Sequence, residues 1–224
     1  MVAVPFKMGD RCSKDYSTEE LLKRKREFEN VVTIPVNVEI KADHKVLDLG
    51  EVEGYLKKAK RISLQNCGCR MDKGNCDSPL DVCISIDPTD NYLSKNAEYG
   101  ARECSLKEAL EALKKSHEAG LVHMAYTMKG DDRATVICSC CPCCCHTLGG
   151  LVRFGIAAKV LTSKFVAEEN YEKCIQCGRC VDRCVFGARS LEGGELVFDS
   201  SLCFGCGLCV STCPADAIAL KPRA

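Results

Sequence analysis

The residues of this sequence best suited to chemistry are its cysteines, which number 20 in a chain of 224 residues. The densest group lies in the stretch ATVICSCCPCCCHTLGG at residues 134–150. It comprises Cys138, Cys140, Cys141, Cys143, Cys144 and Cys145. A cysteine content this high is typical of a small secreted domain held by disulfides or of a protein that binds metal through thiolates.

Two features of the sequence favour metal binding over disulfides. The first residues contain no apolar core of the length that export requires, and no run of about 18 apolar residues occurs, so we expect neither a signal peptide nor a membrane span. The expected compartment is the cytoplasm, where thiols stay reduced. The cysteines are also spaced mainly as C-x-x-C and as adjacent pairs, which is a metal-ligand pattern.

The C-terminal part of the chain contains one cysteine motif twice, and the two copies align cysteine for cysteine. Each copy reads C-x-x-C-x-x-C-x-x-x-C, and Pro214 follows the second. The copies comprise Cys174, Cys177, Cys180 and Cys184, then Cys203, Cys206, Cys209 and Cys213. Three thiolates at every third residue can wrap three corners of a cubane cluster, and the fourth ligand then comes from elsewhere. A repeat of this kind also indicates a duplicated supersecondary unit.

Residues 171–220 resemble a dicluster ferredoxin of the two [4Fe-4S] type. The resemblance implies two ligand sets, in which each run lends its fourth cysteine to the other cluster. These sets are Cys174, Cys177, Cys180 and Cys213, and Cys203, Cys206, Cys209 and Cys184. Val185 departs from the pattern, because proline is usual at that position. Two zinc ribbons are the alternative, although zinc uses two C-x-x-C pairs rather than two runs of four cysteines.

A further group of cysteines lies in the stretch NCGCRMDKGNCDSPLDVCIS and comprises Cys67, Cys69, Cys76 and Cys83. Together with the block at 138–145, this pattern over residues 45–150 resembles the cysteine-rich region of uncharacterised [4Fe-4S]-binding proteins of anaerobic bacteria and archaea. The resemblance implies a metal class and no established reaction. All ten cysteines of the two groups are therefore candidate metal ligands, with their assignment to clusters left open.

Geometry limits how these ten thiols can be shared. Neighbouring cysteines in an extended segment point to opposite sides, so the six thiols of the block cannot all serve one cluster. Its C-x-x-C pairs are Cys138 with Cys141, Cys140 with Cys143, and Cys141 with Cys144. We expect the two cysteine loops to face each other and to share their thiols over one or two Fe-S clusters. A cluster with more than four irons, or with an open iron, would absorb the excess. Binding of Zn or Cu(I) in the manner of metallothionein is the alternative.

Five residues outside the cysteine groups each have two interpretations. Cys12 and Cys104 stand alone, and such cysteines are usually small buried hydrophobic residues. His146 could bind iron, but a histidine that begins a helix or makes a hydrogen bond is the favoured interpretation. We interpret His123 as a core residue rather than as a ligand or proton donor. Arg70 either offsets the negative charge of a cluster or forms an ion pair at the surface.

The helices and strands that the sequence predicts around these residues indicate an α+β fold. In this fold a cysteine-rich α/β domain is followed by a ferredoxin-like dicluster domain. Apolar periodicity and capping signals predict helices at residues 17–29, 48–60 and 105–120. Short β-like runs predict extended segments at residues 31–40, 61–66, 121–127 and 133–138. The expected divisions are an N-terminal helical segment at 1–30, the cysteine-rich domain at 31–165 and the ferredoxin domain at 166–224.

Two of the predicted strands are each followed directly by a cysteine loop. RISLQNCGCR and RATVICSCCPCCC both consist of a basic residue, a short β-like run and then cysteines. We therefore hypothesise that two strand ends present thiols on one rim of a sheet.

Charge and motifs narrow the function. The 31 basic and 31 acidic residues give a formal net charge of zero, so no overall field favours nucleic acid or an anionic membrane. Flavin, NAD and ATP have no recognisable binding motif. We predict a cytoplasmic multi-cluster iron-sulfur protein of an anaerobe that passes low-potential electrons between its ferredoxin and cysteine-rich modules and exchanges them with redox partner proteins. The alternatives are a reductase with substrate at an open iron of the middle cluster, and a protein that handles metal or sulfur.

Overall fold

A computed structural model describes residues 15–26, 28–34, 41–42, 45–46, 50–128, 133–156 and 160–223. Three of the sequence predictions lie wholly or partly outside these residues, namely the role of Cys12, the extended conformation of residues 35–40 and the start of the predicted helix at 48–49.

The described helices alternate with short strands along the chain. The helices are α1 (Thr18–Lys25), α2 (Gly50–Lys58), α3 (Gly68–Lys73), α4 (Asp90–Lys95), α5 (Leu106–Glu118), α6 (His146–Phe154), α7 (Arg179–Arg183) and α8 (Leu208–Thr212), with 3-10 turns at Ala97–Tyr99 and Ser200–Leu202. The strands are β1 (Phe28–Ile34), β2 (Lys41–Ala42), β3 (Lys45–Val46), β4 (Ile62–Asn66), β5 (Asp81–Ile86), β6 (Arg102–Glu103), β7 (Val122–Met128), β8 (Val136–Cys140), β9 (Val160–Leu161), β10 (Phe165–Glu169), β11 (Arg189–Glu192), β12 (Glu195–Phe198) and β13 (Ile218–Pro222). None of the described helices combines the length and the apolar character that a bilayer crossing demands.

Capping explains where two helices begin. Ser17 before α1 accepts a hydrogen bond from the Glu20 backbone and donates its own N–H to the Glu20 carboxylate, and Ser105 and Glu108 form the same box before α5.

The predicted helix at 17–29 is too long at its C-terminal end, because Lys25 is its last residue and β1 follows. Pairing of β1 with β7 in the sheet overrides the local helical pattern there.

Seven strands form one sheet in the order β6-β4-β5-β8-β7-β1-β9. All neighbours are antiparallel except β1 and β9. Strands β4 and β8 flank β5 and both run antiparallel to it, so they point the same way and end at one edge of the sheet. This arrangement agrees with the hypothesis that two strand ends present their cysteine loops on one rim.

The two faces of the sheet pack against different helices. Alternate residues of a strand face opposite sides, and β7 illustrates this. Ala125 joins the hydrophobic cluster that contains Leu113 of α5, whereas Met124 and Tyr126 join the cluster that contains Leu148 of α6. The strand cysteines of β8 belong to the α6 side.

The C-terminal region has the internal repeat that the sequence predicts. Helix α7 lies between the second and fourth cysteines of the first motif, and α8 lies between the same two cysteines of the second motif. Each helix is followed by a strand of an antiparallel pair, with β11 paired to β12 and β13 paired to β10. The fold is therefore α+β, as predicted.

Candidate metal centres

The eight cysteines of the C-terminal motifs line two separate cavities. The first has an empty volume of about 400 Å³ and is bordered by Cys174, Cys177, Cys180 and Cys213. The second has an empty volume of about 350 Å³ and is bordered by Cys184, Cys203, Cys206 and Cys209. Each cavity thus receives three thiols from one motif and the last thiol of the other motif. Four thiols around an open space are the donor set that an Fe-S cluster uses.

Glycines bring the backbone close to these cavities. Gly178 and Gly207 have φ of 73° and 77° and precede α7 and α8, so each helix can turn directly after the second cysteine of its motif. A Cβ atom on Gly205 would lie 2.1 Å from the carbonyl oxygen of Phe165 and 2.2 Å from Oγ of Ser163. A side chain at Gly205 would therefore push the second cysteine loop away from the strand that supports it.

A buried ion pair lies between the two cavities. Arg189 is 5% exposed, and its guanidinium donates to the Glu169 carboxylate and covers the ring of Phe198. Burial by itself would lower the pKa of Arg189, but Cys209 and Glu169 raise it above its ordinary value. This cation can offset part of the negative charge that thiolates bring into the region.

The ten cysteines of the middle region separate into two groups, and both groups draw thiols from both cysteine loops. The smaller group comprises Cys76, Cys141, Cys143 and Cys144. Its sulfurs all lie within 4.8 Å of one another. Each of the four thiols contacts the other three, as the corners of a tetrahedron do. We call this group the four-thiol site.

The larger group is a closed ring of six thiols. Every thiol contacts two others, and the contacts join in one cycle. In order around the cycle the members are Cys67, Cys69, Cys145, Cys140, Cys138 and Cys83. We call this group the six-thiol ring. Six convergent thiols exceed the four that one cubane requires, so the ring offers either a larger cluster or two spare thiols.

Strand alternation and two helix starts position the ring. Cys83 of β5 is adjacent to Ile84, which faces α5, so Cys83 faces the α6 side together with Cys138 and Cys140. Cys67 and Cys145 stand at the N-caps of α3 and α6. Cys145 Sγ accepts a hydrogen bond of 3.4 Å from the backbone N–H of Leu148.

Arg70 supplies a positive charge beside the four-thiol site. It is 2% exposed, and its Nη2 donates to the Ser139 carbonyl at 3.0 Å and lies 3.6 Å from Cys141 Sγ. Its Nη1 donates to the Pro79 carbonyl. Hydrogen bonds from Cys143 and Cys144, together with the Arg70 guanidinium, lower the pKa of Cys141 to about 7. The surface ion pair considered for Arg70 is therefore wrong, because its guanidinium is buried among carbonyls and thiols.

The other individual predictions have mixed outcomes. His146 begins α6, and its Nδ1 lies 3.1 Å from Cys69 Sγ, so it does contact a ring thiol. His123 is fully buried, and its Nδ1 shares a hydrogen bond of 3.0 Å with Ser139 Oγ, as expected of a core residue. Cys104 is half-buried and packs against the cluster that contains α5. Of the three C-x-x-C pairs in the block, only Cys141 with Cys144 falls within one group.

Several residues at these sites carry no local sequence signal. Tyr126 is buried, and its hydroxyl lies 3.7 Å from Cys140 Sγ and 3.9 Å from Cys145 Sγ. Asn75 donates to the Cys143 carbonyl at 2.9 Å, and Tyr16 donates to the Cys144 carbonyl at 3.0 Å. These contacts join distant segments of the chain or neighbouring strands of the sheet, so only the folded structure reveals them.

The six-thiol ring and the second C-terminal cavity share one hydrophobic cluster. It contains Cys140 and Cys145 of the ring and Phe186 of the C-terminal region, and Cys184 and Cys206 pack against it. A further member of its periphery, Phe204, stacks on Phe186 with ring centroids 4.4 Å apart. Thr33 Oγ1 of β1 donates to the Phe204 carbonyl at 2.6 Å. The two thiol-rich regions are thus joined by packed side chains.

Comparison with known proteins identifies the C-terminal region. Residues 173–217 match the family described as 4Fe-4S dicluster domain. A comparison with curated proteins finds no match to the chain. The family match agrees with two cavities of four thiols each and with the repeat of α7 and α8. The C-terminal region is therefore a ferredoxin-like dicluster domain for [4Fe-4S] clusters, and together with the cysteine cluster of the middle region it indicates an iron-sulfur electron-transfer role.

Proposed function

We propose that the protein is a multi-cluster electron carrier, in which the dicluster domain exchanges low-potential electrons with a further iron-sulfur centre held by the six-thiol ring. The proposed divisions are residues 1–30, the cysteine-rich domain at 31–165 and the dicluster domain at 166–224. The proposed location is the cytoplasm, and the outer electron donors and acceptors are redox partner proteins.

The ligand sets of the dicluster domain follow the two cavities. We assign one cluster to Cys174, Cys177, Cys180 and Cys213, and the other to Cys184, Cys203, Cys206 and Cys209. The clusters supply one-electron chemistry when bound. The chain holds the thiols, excludes water and offsets charge, and Arg189 is the buried cation available for this task.

One observation carries the proposal of transfer between the regions, namely the hydrophobic cluster that the ring shares with the second cavity. Ligand candidates of both sites, Cys206 and Cys140, belong to or border this cluster, and the Phe186–Phe204 stack lies in it. Close packing of side chains shortens the path for electron tunnelling between two centres. Cys140 and Cys145, the ring thiols that belong to this cluster, are 3% and 4% exposed. The part of the ring nearest the second cavity is therefore shielded from bulk solvent.

Time-resolved reduction of the full chain tests this transfer. The protein, loaded with iron and sulfide under anaerobic conditions, is reduced by a light-activated one-electron donor and followed by freeze-quench EPR. We expect signals of the dicluster domain to form first and then to decay as a signal of the ring centre grows. In the variant Cys138→Ser with Cys140→Ser, the dicluster signals should persist, whereas Cys104→Ser should behave as wild type. Persistence of dicluster signals in the wild type would contradict the proposal.

A reductase is a second candidate, favoured by the excess of thiols in the ring. Six thiols leave two beyond the needs of one cubane, and Nδ1 of His146 lies 3.1 Å from Cys69 Sγ. Such a site could bind a substrate while the dicluster domain delivers electrons. Cyanide or CO added to the reduced protein should then change the EPR signal of the ring centre and leave the dicluster signals unchanged. A ring signal insensitive to both ligands favours electron transfer alone.

A further inference from the structure

The four-thiol site differs from every other cysteine group of the described chain in how closely its sulfurs approach. Cys76 Sγ lies 3.7 Å from Cys141 Sγ and 3.9 Å from Cys144 Sγ, and the sulfurs of Cys143 and Cys144 are 3.8 Å apart. The contacts are complete, because each thiol touches all three others. Four sulfurs in this arrangement define a small tetrahedron.

The size of this tetrahedron selects the metal species. One tetrahedral ion with metal-sulfur bonds of about 2.3 Å holds its four sulfurs about 3.8 Å apart. In a cubane each cysteine binds a different iron, so its four sulfurs stand outside the iron core and well beyond direct contact. The three separations of 3.7–3.9 Å, and the limit of 4.8 Å on all six, fit one ion and are too short for a cluster. We propose that Cys76, Cys141, Cys143 and Cys144 bind a single divalent metal ion, zinc or iron, in a closed tetrathiolate site.

Charge and backbone geometry support a closed site. Four thiolates and one divalent ion carry two net negative charges, and the buried Arg70 guanidinium beside Cys141 offsets one of them. A tight turn at residues 141–145 is closed by the hydrogen bond of 3.0 Å from the Cys145 N–H to the Cys141 carbonyl. This turn brings the thiols of Cys141, Cys143 and Cys144 around one point. A Cβ atom at Gly149 would lie 2.6 Å from the Pro142 carbonyl oxygen. Position 149 of α6 must therefore be glycine for the turn to pack against the helix this closely.

The site has a structural task in the fold. Residues 74–79, which carry Cys76, have no regular secondary structure. Arg70 and Asn75 anchor this segment through the carbonyls of Pro79 and Cys143. A bound ion would link Cys76 to the cysteine loop at 138–145. It would thereby hold together the two loops that also form the six-thiol ring. A site with four protein ligands and no open position is typical of structural metal sites.

Metal analysis of the full chain, prepared anaerobically with both iron and zinc available, tests the inference. Wild type is compared with Cys76→Ala and Cys143→Ala, and Cys104→Ala is the matched control because this cysteine lies in a different core cluster. We expect each four-thiol variant to lose about one metal ion per chain and no acid-labile sulfide, since a lone ion carries no sulfide. The control should lose neither. Loss of one zinc or of one iron without sulfide supports the proposal and identifies the ion.

Two results would overturn the single-ion site. One is the loss of about four irons together with sulfide, which is the content of a cubane. The other is unchanged metal in both variants. If the variants fail to fold, spectroscopy of the wild type decides: in X-ray absorption at the zinc edge, or in the iron Mössbauer spectrum when zinc is absent, a lone tetrathiolate ion is expected. Its absence from both spectra would refute the site. This test is independent of electron transfer, which is measured separately on the ring and the dicluster domain.

Discussion

The dicluster domain and the cysteine-rich region arrange their thiols in opposite ways. In the described C-terminal residues, no thiol is in hydrogen-bond contact with another, and the eight sulfurs border two cavities. In the middle region the sulfurs contact one another, and three pairs in the four-thiol site are 3.7–3.9 Å apart. The difference teaches that two groups of four thiols can differ in the separation of their sulfurs after folding. This separation must match the size of what the thiols bind.

The two regions also differ in where their thiols come from. Each C-terminal cavity takes three thiols from one short run of the chain and one from the other run. The six-thiol ring takes Cys67, Cys69 and Cys83 from one part of the chain and the rest from residues 138–145, with the β4, β5 and β8 strands as scaffold. A local motif needs little tertiary structure to converge. A ring built across a sheet forms only when the register of the strands is correct.

The largest expected effect comes from removing thiols in pairs. Cys174→Ser with Cys177→Ser should remove about four irons, the content of one cubane. Cys67→Ser with Cys69→Ser should empty the ring, and Cys141→Ser with Cys144→Ser should empty the four-thiol site. Because the structure puts these pairs in different groups, their metal losses should add when the variants are combined. Metal and sulfide analysis measures this, and a combined loss equal to that of one pair alone would mean that the ring and the four-thiol site are one centre.

The buried arginines of the two regions should respond differently to substitution. Arg189→Met breaks a buried ion pair and should lower the free energy of unfolding by about 3–5 kcal/mol. Adding Glu169→Met should restore the part of this loss that comes from the unpaired Glu169 carboxylate. Arg70→Met should lower the free energy of unfolding by a similar amount. No second substitution should restore it in the same way, because the described partners of Arg70 are carbonyls and thiols. Denaturant unfolding under anaerobic conditions checks both, and a failure of the double variant to recover would contradict the ion-pair account.

The junction between the regions should make stability depend on pH. His117 Nε2 shares a hydrogen bond of 2.7 Å with Ser211 Oγ of the dicluster domain, and its ring stacks on His123. Burial, with Arg183 nearby, lowers the pKa of His117 from 6.5 to about 4, and burial with His117 lowers that of His123 to about 3.

The sign follows from these depressed pKa values. The unfolded chain takes up protons near pH 6.5 while both folded histidines stay neutral, so stability present above that pH is lost as pH falls toward 4. The loss is up to about 1.4 kcal/mol per pH unit for each histidine. Denaturant unfolding at pH 7 and pH 5 should give a smaller difference for His117→Gln with His123→Gln than for wild type. Equal differences would contradict the prediction.

The smallest expected effect comes from a substitution at the N-cap of helix α5, which does not contribute thiols to either group. Ser105→Ala removes the capping box of α5 and should lower the free energy of unfolding by about 1 kcal/mol. Metal content should stay unchanged, because α5 packs on the sheet face away from Cys138 and Cys140. Loss of metal in this variant would mean that the scaffold and the ring are coupled more tightly than the separate packing of the two faces suggests.

Much of this protein could be predicted from its sequence. The α+β class follows from strand-like and helical runs, and the capping box at Ser17 follows from residue type and spacing. The dicluster domain follows from a motif that occurs twice with the same cysteine spacing. These features depend on interactions between residues near each other in the chain, so a linear pattern contains them.

The division of the ten middle thiols was decided by tertiary structure alone. Strand alternation turns Cys138 and Cys140 to the α6 side, whereas the tight turn that follows carries Cys141, Cys143 and Cys144 toward Cys76. The spacing of the cysteines does not by itself show that β8 ends at Cys140 and that the turn begins there. Burial of Arg70 likewise depends on carbonyls supplied by other segments. Their separation in the chain is the physical reason, because contacts between such distant segments exist only once the sheet has set the register of its strands.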